Sequence, residues 1–173
     1  MKKLFLLFCI ILILPVSSYA QDTLKIGAID IQKILNECEA GKKAKADLET
    51  LIKSKESVID KKGEEIEKLR GELKNQASVL SDEARKNKEE ELEKLLRDYQ
   101  RTVQDSQEEV KKKEGELTET ILKGIHELVK KIGKEEKYTL IIEKSLVVFS
   151  NKSIDITDKV LKEYNKTTGK TKK

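Results

Sequence analysis

The chain is poor in residues that could do covalent or acid–base chemistry. Its one histidine, His126, falls in "ILKGIHELVKKI" (121–132), where apolar residues recur at helical spacing. A general base needs a group to orient it and a nucleophile or proton donor to serve. A lone histidine on such a stretch is a packing or surface residue. Cys38 has no His–Asp context that would make it a nucleophile. No Cys/His spacing fits a zinc site, no Gly-rich loop could cradle a phosphate, and no serine has a base and acid to complete a triad. The acidic run "KEEELE" (88–93) reads as a solvated helix face. These residue types predict no catalytic residues, no metal and no cofactor. The expectation is that the protein is not an enzyme.

The elements around these residues explain the poverty. "MKK" is a short basic start, Leu4 to Leu14 is apolar, and "SYA" places Ser18 and Ala20 at the −3 and −1 positions of a cleavage site. This is the pattern of a Sec signal peptide over residues 1–20. The apolar run is well short of the ~20 residues needed to cross a bilayer. The expected mature chain is exported and soluble, with a bacterial periplasm as its compartment. Cys9 leaves with the signal and sits too early to be a lipoprotein acceptor, so Cys38 remains without an intrachain partner. Loss of Lys2 and Lys3 leaves 34 basic residues against 32 acidic ones. That balance argues against nucleic acid as a partner. Pro15, the only proline, is also lost, so the mature chain can run long helices unbroken.

"TLKIGAIDI" (23–31) is strand-like with apolar residues on both faces, and Gln32 to Asn36 suggests one helical turn. Gly41 marks a break or a helix entrance. From about Lys42 to Glu136 the composition is helical. Ile52, Ile59, Ile66, Leu73 and Leu80 recur every seven residues, as do Leu96, Val103, Val110 and Leu117. The companion edges, Leu48, Lys55, Lys62, Leu69, Gln76 and Leu92, Tyr99, Ser106, Lys113, are largely polar. Each thin stripe lacks a full partner, and the two can cover each other if the chain reverses. Ser81 followed by Asp82 and Glu83 supplies an N-cap and acids at the positive end of a new helix. The expected reversal is at 78–81, with Leu73 near 86–88 and Ile52 near 108–110. An arm over 42–117 follows, about 55 Å long at ~1.5 Å per residue. Glycines 63, 71, 115 and 124 lie inside its helices and predict an arm that bends and splays.

Beyond Leu117 the apolar density rises, and Gly133 is the expected end of the second helix. "YTLIIEKSLVVF" (138–149) then reads as a β-hairpin, with strands 138–143 and 146–149 turning at 143–145. Thr157 is the expected N-cap of a short amphipathic helix, and 166–173 reads as a disordered basic tail. The fold class is α+β, mostly α. A long helical hairpin stands on a small discontinuous β body (21–41 and 118–165). Both strand faces are apolar and one helix layer covers only one face, so the body is expected to oligomerise with copies of itself. The expected assembly residues are Ile26, Ile29, Leu140, Ile142, Val147 and Phe149.

Two segments carry a family resemblance. "KIGAIDIQKILNECEAGKKA" (25–44) and "YTLIIEKSLVVFSNKSIDITDKVL" (138–161), with its "SIDIT" helix entrance, resemble the terminal segments of the Skp/OmpH-type periplasmic chaperones. The resemblance implies a homotrimer with an intersubunit β-barrel and three arms around a cavity. It implies an ATP-independent holdase that keeps unfolded outer-membrane proteins from aggregating. Ile59, Ile66, Leu69, Leu73, Val79, Leu80, Tyr99 and Val103 are then the candidate client contacts. Weak contact with a membrane surface or anionic lipid is the remaining partner expectation. The best-known members are strongly basic. Here residues 42–136 carry 23 basic and 24 acidic side chains. The alternative reading of the residues is a structural coiled-coil spacer or adaptor of the cell envelope.

Overall fold

The structure, a computed structural model, describes residues 24–170. The signal peptide expected over 1–20 lies outside the described residues.

The elements in order are β1 (Ile26–Ile29), α1 (Ile31–Glu37), α2 (Glu39–Asn75), α3 (Asp82–Glu135), β2 (Leu140–Glu143) and α4 (Thr157–Lys170), with 3-10 turns at Lys144–Leu146 and Lys152–Ile154. Two long antiparallel helices make the arm. Ser81 ends the reversal as expected: its hydroxyl accepts from the Ala84 N–H at 3.2 Å. The expected register also holds. Lys88 meets Glu72 at 2.6 Å and Lys55 meets Glu109 at 2.6 Å across the hairpin. Ile66 and Leu69 are buried in the seam between the helices.

The arm begins earlier than Lys42. The Cys38 sulfur takes the N-cap position of α2 and accepts from the Gly41 N–H at 3.2 Å. Gly41 is therefore an entrance residue, forced by close approach. A Cβ there would lie 1.8 Å from the Leu35 carbonyl oxygen. At the far end, α3 passes through Gly133 to Glu135. The chain turns at Lys137, whose φ is +56°, and the Tyr138 N–H returns to the Gly133 carbonyl at 2.9 Å. The glycine sits inside the terminal turn and does not end the helix.

The sheet differs from the expectation. β1 and β2 pair in parallel, with Ile26 opposite Leu140 and Ile29 opposite Glu143. The whole arm is the crossover between them, as a parallel pair requires a long connection. On its other edge, Ala28 bridges Asp155, and the Ile156 N–H donates to the Ala28 carbonyl at 2.9 Å. β1 is thus the central ribbon of the body. The hairpin over 138–149 does not form. Lys144–Leu146 makes a 3-10 turn, and no strand follows at 146–149. "KS" lacks the Gly or Asn that a tight hairpin turn favours. β-branched residues favour extended backbone, but cross-strand partners must still be supplied.

A single chain builds a real core. Ile34, Cys38, Ile125 and Val160 are fully buried, with Ile121, Leu128, Ile132, Ile156 and Tyr164 around them. The end of α3 thus packs against α1, α4 and β1. Ile29 belongs to this core at 4 % exposure, so it is spent within the chain and is not free for assembly as expected. Gly124 lets α3 approach α4: a Cβ there would meet the Tyr164 ring at 3.0 Å. Thr157 is the first helical residue of α4, and its hydroxyl accepts from the Asp30 N–H at 2.9 Å. The carboxylate of Asp155 accepts from the Thr157 N–H instead. The expected disordered tail is helical to Lys170. Asn165 ties this helix to the arm's base by accepting from the Glu39 N–H at 3.0 Å.

Candidate functional site

Two surfaces are candidates for function: the flanks of the arm and an apolar patch on the body. Each is a by-product of how little apolar surface the chain can bury.

On the arm, the seam uses up part of the apolar stripe. Ile66 and Leu69 hold the two helices together and are not available as client contacts in this hairpin. Ile59, Leu73, Leu80, Tyr99 and Val103 are half-buried at the seam's edges. Val79, at the tip, is 79 % exposed. Tyr99 lies over Gly63, whose missing side chain leaves room for the ring; a Cβ would sit 3.9 Å away. Val58 is also exposed and was not singled out in the sequence, because it falls off the seven-residue stripe. Ser106 is buried at a seam position where an apolar residue would otherwise pack.

On the body, Leu24, Ile26 and Leu140 are exposed, and Leu146 and Phe149 are exposed to 81 % and 86 %. Ile142 and Val147 are half-buried. Of the six expected assembly residues, Ile26, Leu140 and Phe149 are exposed, Ile142 and Val147 present part of their surface, and only Ile29 is buried. Leu146 and Val148 were missed, although the density of "SLVVF" signals them.

Ion pairs hold the segment that carries this patch. Lys144 donates to Asp155 at 2.8 Å, and Asp155 also accepts from the Thr157 N–H at 2.9 Å. Lys144 and the Thr157 bonds together lower the Asp155 pKa to about 2. Lys159 and Lys25 both reach Glu136, and these contacts, Lys159 first, lower its pKa. The Lys25 ammonium also sits 4.0 Å from the centre of the Tyr138 ring. Lys33 pairs with Asp158 at 2.7 Å, which raises the lysine's pKa. These contacts tie the 144–155 segment back on itself, α4 to α1 and to the end of α3, and the residue before β1 to that same end. They stabilise the ionised carboxylates of Asp155 and Glu136.

His126 is exposed on α3. Among the described residues, no cluster of three or more His, Cys, Asp or Glu is arranged to hold a metal. No helix of the described residues is long and apolar enough to cross a membrane. What the arrangement offers is contact surface: long, weakly apolar and edged with both signs of charge.

The comparisons with known proteins point the same way. An uncharacterized protein of Aquifex aeolicus (strain VF5) is 27 % identical over 96 % of this chain and 98 % of its own. The fold is similar to the crystal structure of a candidate outer membrane chaperone (OmpH-like) from Caulobacter crescentus CB15. The TM-score is 0.78, over 83 % of this chain and 85 % of that one, at 17 % identity. The model of the family described as "Outer membrane protein (OmpH-like)" matches residues 25–164. That span takes in β1, the whole arm, β2 and most of α4, so the chain belongs to the OmpH-like family.

Proposed function

We propose that the protein is an ATP-independent periplasmic holdase. It binds unfolded outer-membrane proteins between helical arms and prevents their aggregation. The observation that carries this reading is the arm itself: two long helices held by a thin seam, with half-buried apolar residues along its edges. An unfolded outer-membrane strand alternates apolar and polar residues. Such a chain is best held by a weakly apolar, adaptable surface in several copies, where each contact is weak and effective concentration supplies the avidity.

The body's exposed apolar patch supports assembly of several copies, and the homotrimer is the assembly we assign. Leu140, Val147 and Phe149 lie at the interface in this reading. Release needs no nucleotide, since a folded, inserted client buries more apolar surface than any arm can offer. Any contact with anionic lipid is weak, because the arm carries balanced charge.

The test replaces residues 50–110 by an unrelated antiparallel hairpin of equal length in the full mature chain. A holdase keeps its oligomeric mass and loses client binding. An unchanged function in that chimera would favour an envelope spacer and overturn the reading.

A further inference from the structure

The two halves of the arm differ in how well the seam is closed. Towards the tip, Ile66 and Leu69 are buried and Tyr99 covers Gly63. Towards the body the seam opens on one side into two hollows of about 260 and 390 Å³. They meet at Glu114, which lines both. Their α2 lining runs through Gly41, Leu48, Ile52 and Ile59, which recur at three- and four-residue multiples and so share one helix face. From α3, Leu117 lines the first hollow and Val110 the second. The result is one groove with an apolar floor. Its lips carry both signs of charge, with Lys55, Lys111 and Glu114 among them.

The cause is legible in the seam. Companion positions that would fill the gap are Lys55 and Ser106. Lys55 reaches across the seam to Glu109 on α3, so its charged side chain stands where an apolar side chain would pack, and Ser106 is too small to fill the space.

We propose that this groove holds one extended segment of an unfolded client, a single strand of alternating apolar and polar residues. Length and charge identify the occupant. From Gly41 to Ile59 the groove runs about 27 Å at ~1.5 Å per residue of helix. That length takes about eight residues of extended chain at ~3.3 Å each. A transmembrane β-strand has roughly 9–11 residues. Alternate side chains of such a strand point one way, so its apolar set lies on the floor while its polar set meets lips of both signs. The inference rests on the holdase reading and names where on the arm a client strand lies.

The test uses the full mature chain and a fluorescein-labelled ten-residue peptide that alternates Leu or Tyr with Thr or Gln. Aggregation of a urea-denatured outer-membrane barrel protein is followed in parallel. Ile52→Glu places a charge on the floor, and Lys111→Trp covers the groove from an exposed lip without altering the seam. Val58→Glu is the control, since Val58 is exposed on α2 but off the groove. The expected result is at least a tenfold loss of peptide affinity for Ile52→Glu and Lys111→Trp, with Val58→Glu unchanged. If Ile52→Glu lowers the helical circular dichroism, Lys111→Trp alone decides the question. Equal effects at all three positions, or no peptide binding by the wild type, would overturn the groove. Wild-type suppression of barrel aggregation in that case would leave the holdase reading standing. A fall in oligomeric mass with Ile52→Glu would show that the groove holds another copy of this chain, which also overturns the proposal.

Discussion

Gly71 and Gly115 lie in the interiors of α2 and α3, and a Cβ at either would meet nothing within 4 Å. Each therefore costs helix stability with no packing return, about 1 kcal/mol relative to Ala. Gly124 is the opposite case. A Cβ there would stand 2.9 Å from the Tyr164 hydroxyl and 3.0 Å from its ring, and Tyr164 is itself buried. Its ring must move, and overpacking of this kind typically costs about 1–3 kcal/mol, enough to cancel or exceed the propensity gain. Gly71→Ala with Gly115→Ala should thus stabilise the arm by roughly 2 kcal/mol, while Gly124→Ala should be neutral or destabilising. Amide hydrogen exchange reads this locally. A gain of about 1 kcal/mol slows exchange roughly fivefold in the turns flanking each new alanine. Because the arm opens locally, protection should rise there and stay unchanged in the α3–α4 core. If Gly124→Ala proves as stabilising as Gly71→Ala, the packing argument is wrong. If exchange near residues 71 and 115 is already as slow as in the core, the weakly held arm is wrong.

Gly41→Ala should open the junction of α1 and α2, because the new Cβ would lie 1.8 Å from the Leu35 carbonyl oxygen. Thermal melting should show a loss of about 3 kcal/mol, the upper range for an overpacked site. The Asp155 carboxyl has its pKa lowered from 3.8 to about 2 in the folded chain. A depressed acid stabilises the fold above its unfolded pKa, so this contribution is whole above about pH 4 and fades as pH falls towards 2. Asp155→Asn should keep the bond from the Thr157 N–H but lose the Lys144 pair. A denaturant titration at pH 7 should show a loss of roughly 1–2 kcal/mol, discounted for solvent screening, with a flatter acid limb. Phe149→Asp changes a side chain that is 86 % exposed, so circular dichroism should not change. Sedimentation should show a smaller assembly; an unchanged mass would remove the body patch as the interface.

The arm was the legible part of the sequence. Seven-residue spacing, the Ser81 cap with Asp82 and Glu83, and the absence of proline after Pro15 fix helix, reversal and register by local rules alone. The pairs Lys88–Glu72 and Lys55–Glu109 confirm that register. The body was not legible in the same way. Whether Leu140–Glu143 pairs with a neighbour in sequence or with Ile26–Ile29 across the whole arm depends on non-local contacts. "YTLIIEKSLVVF" carries β propensity but no turn chemistry to fold it back. Ile29 and Leu140 look alike as residues, and only the packing of α3 and α4 buries the first and leaves the second exposed. The groove escaped notice because a heptad stripe shows that a seam is thin without showing at which level it gapes. The level is set by Lys55, which reaches across to Glu109, and by the small Ser106.

Light scattering most directly tests whether this chain shelters unfolded outer-membrane proteins. A urea-denatured outer-membrane barrel protein is diluted into buffer without nucleotide, with the purified mature chain in slight excess over the client as assembled oligomer. The account predicts that scattering stays near the protein-only baseline, and that raising the salt concentration alters this little because the arm's charges balance. Aggregation at the rate seen without the chain would contradict it.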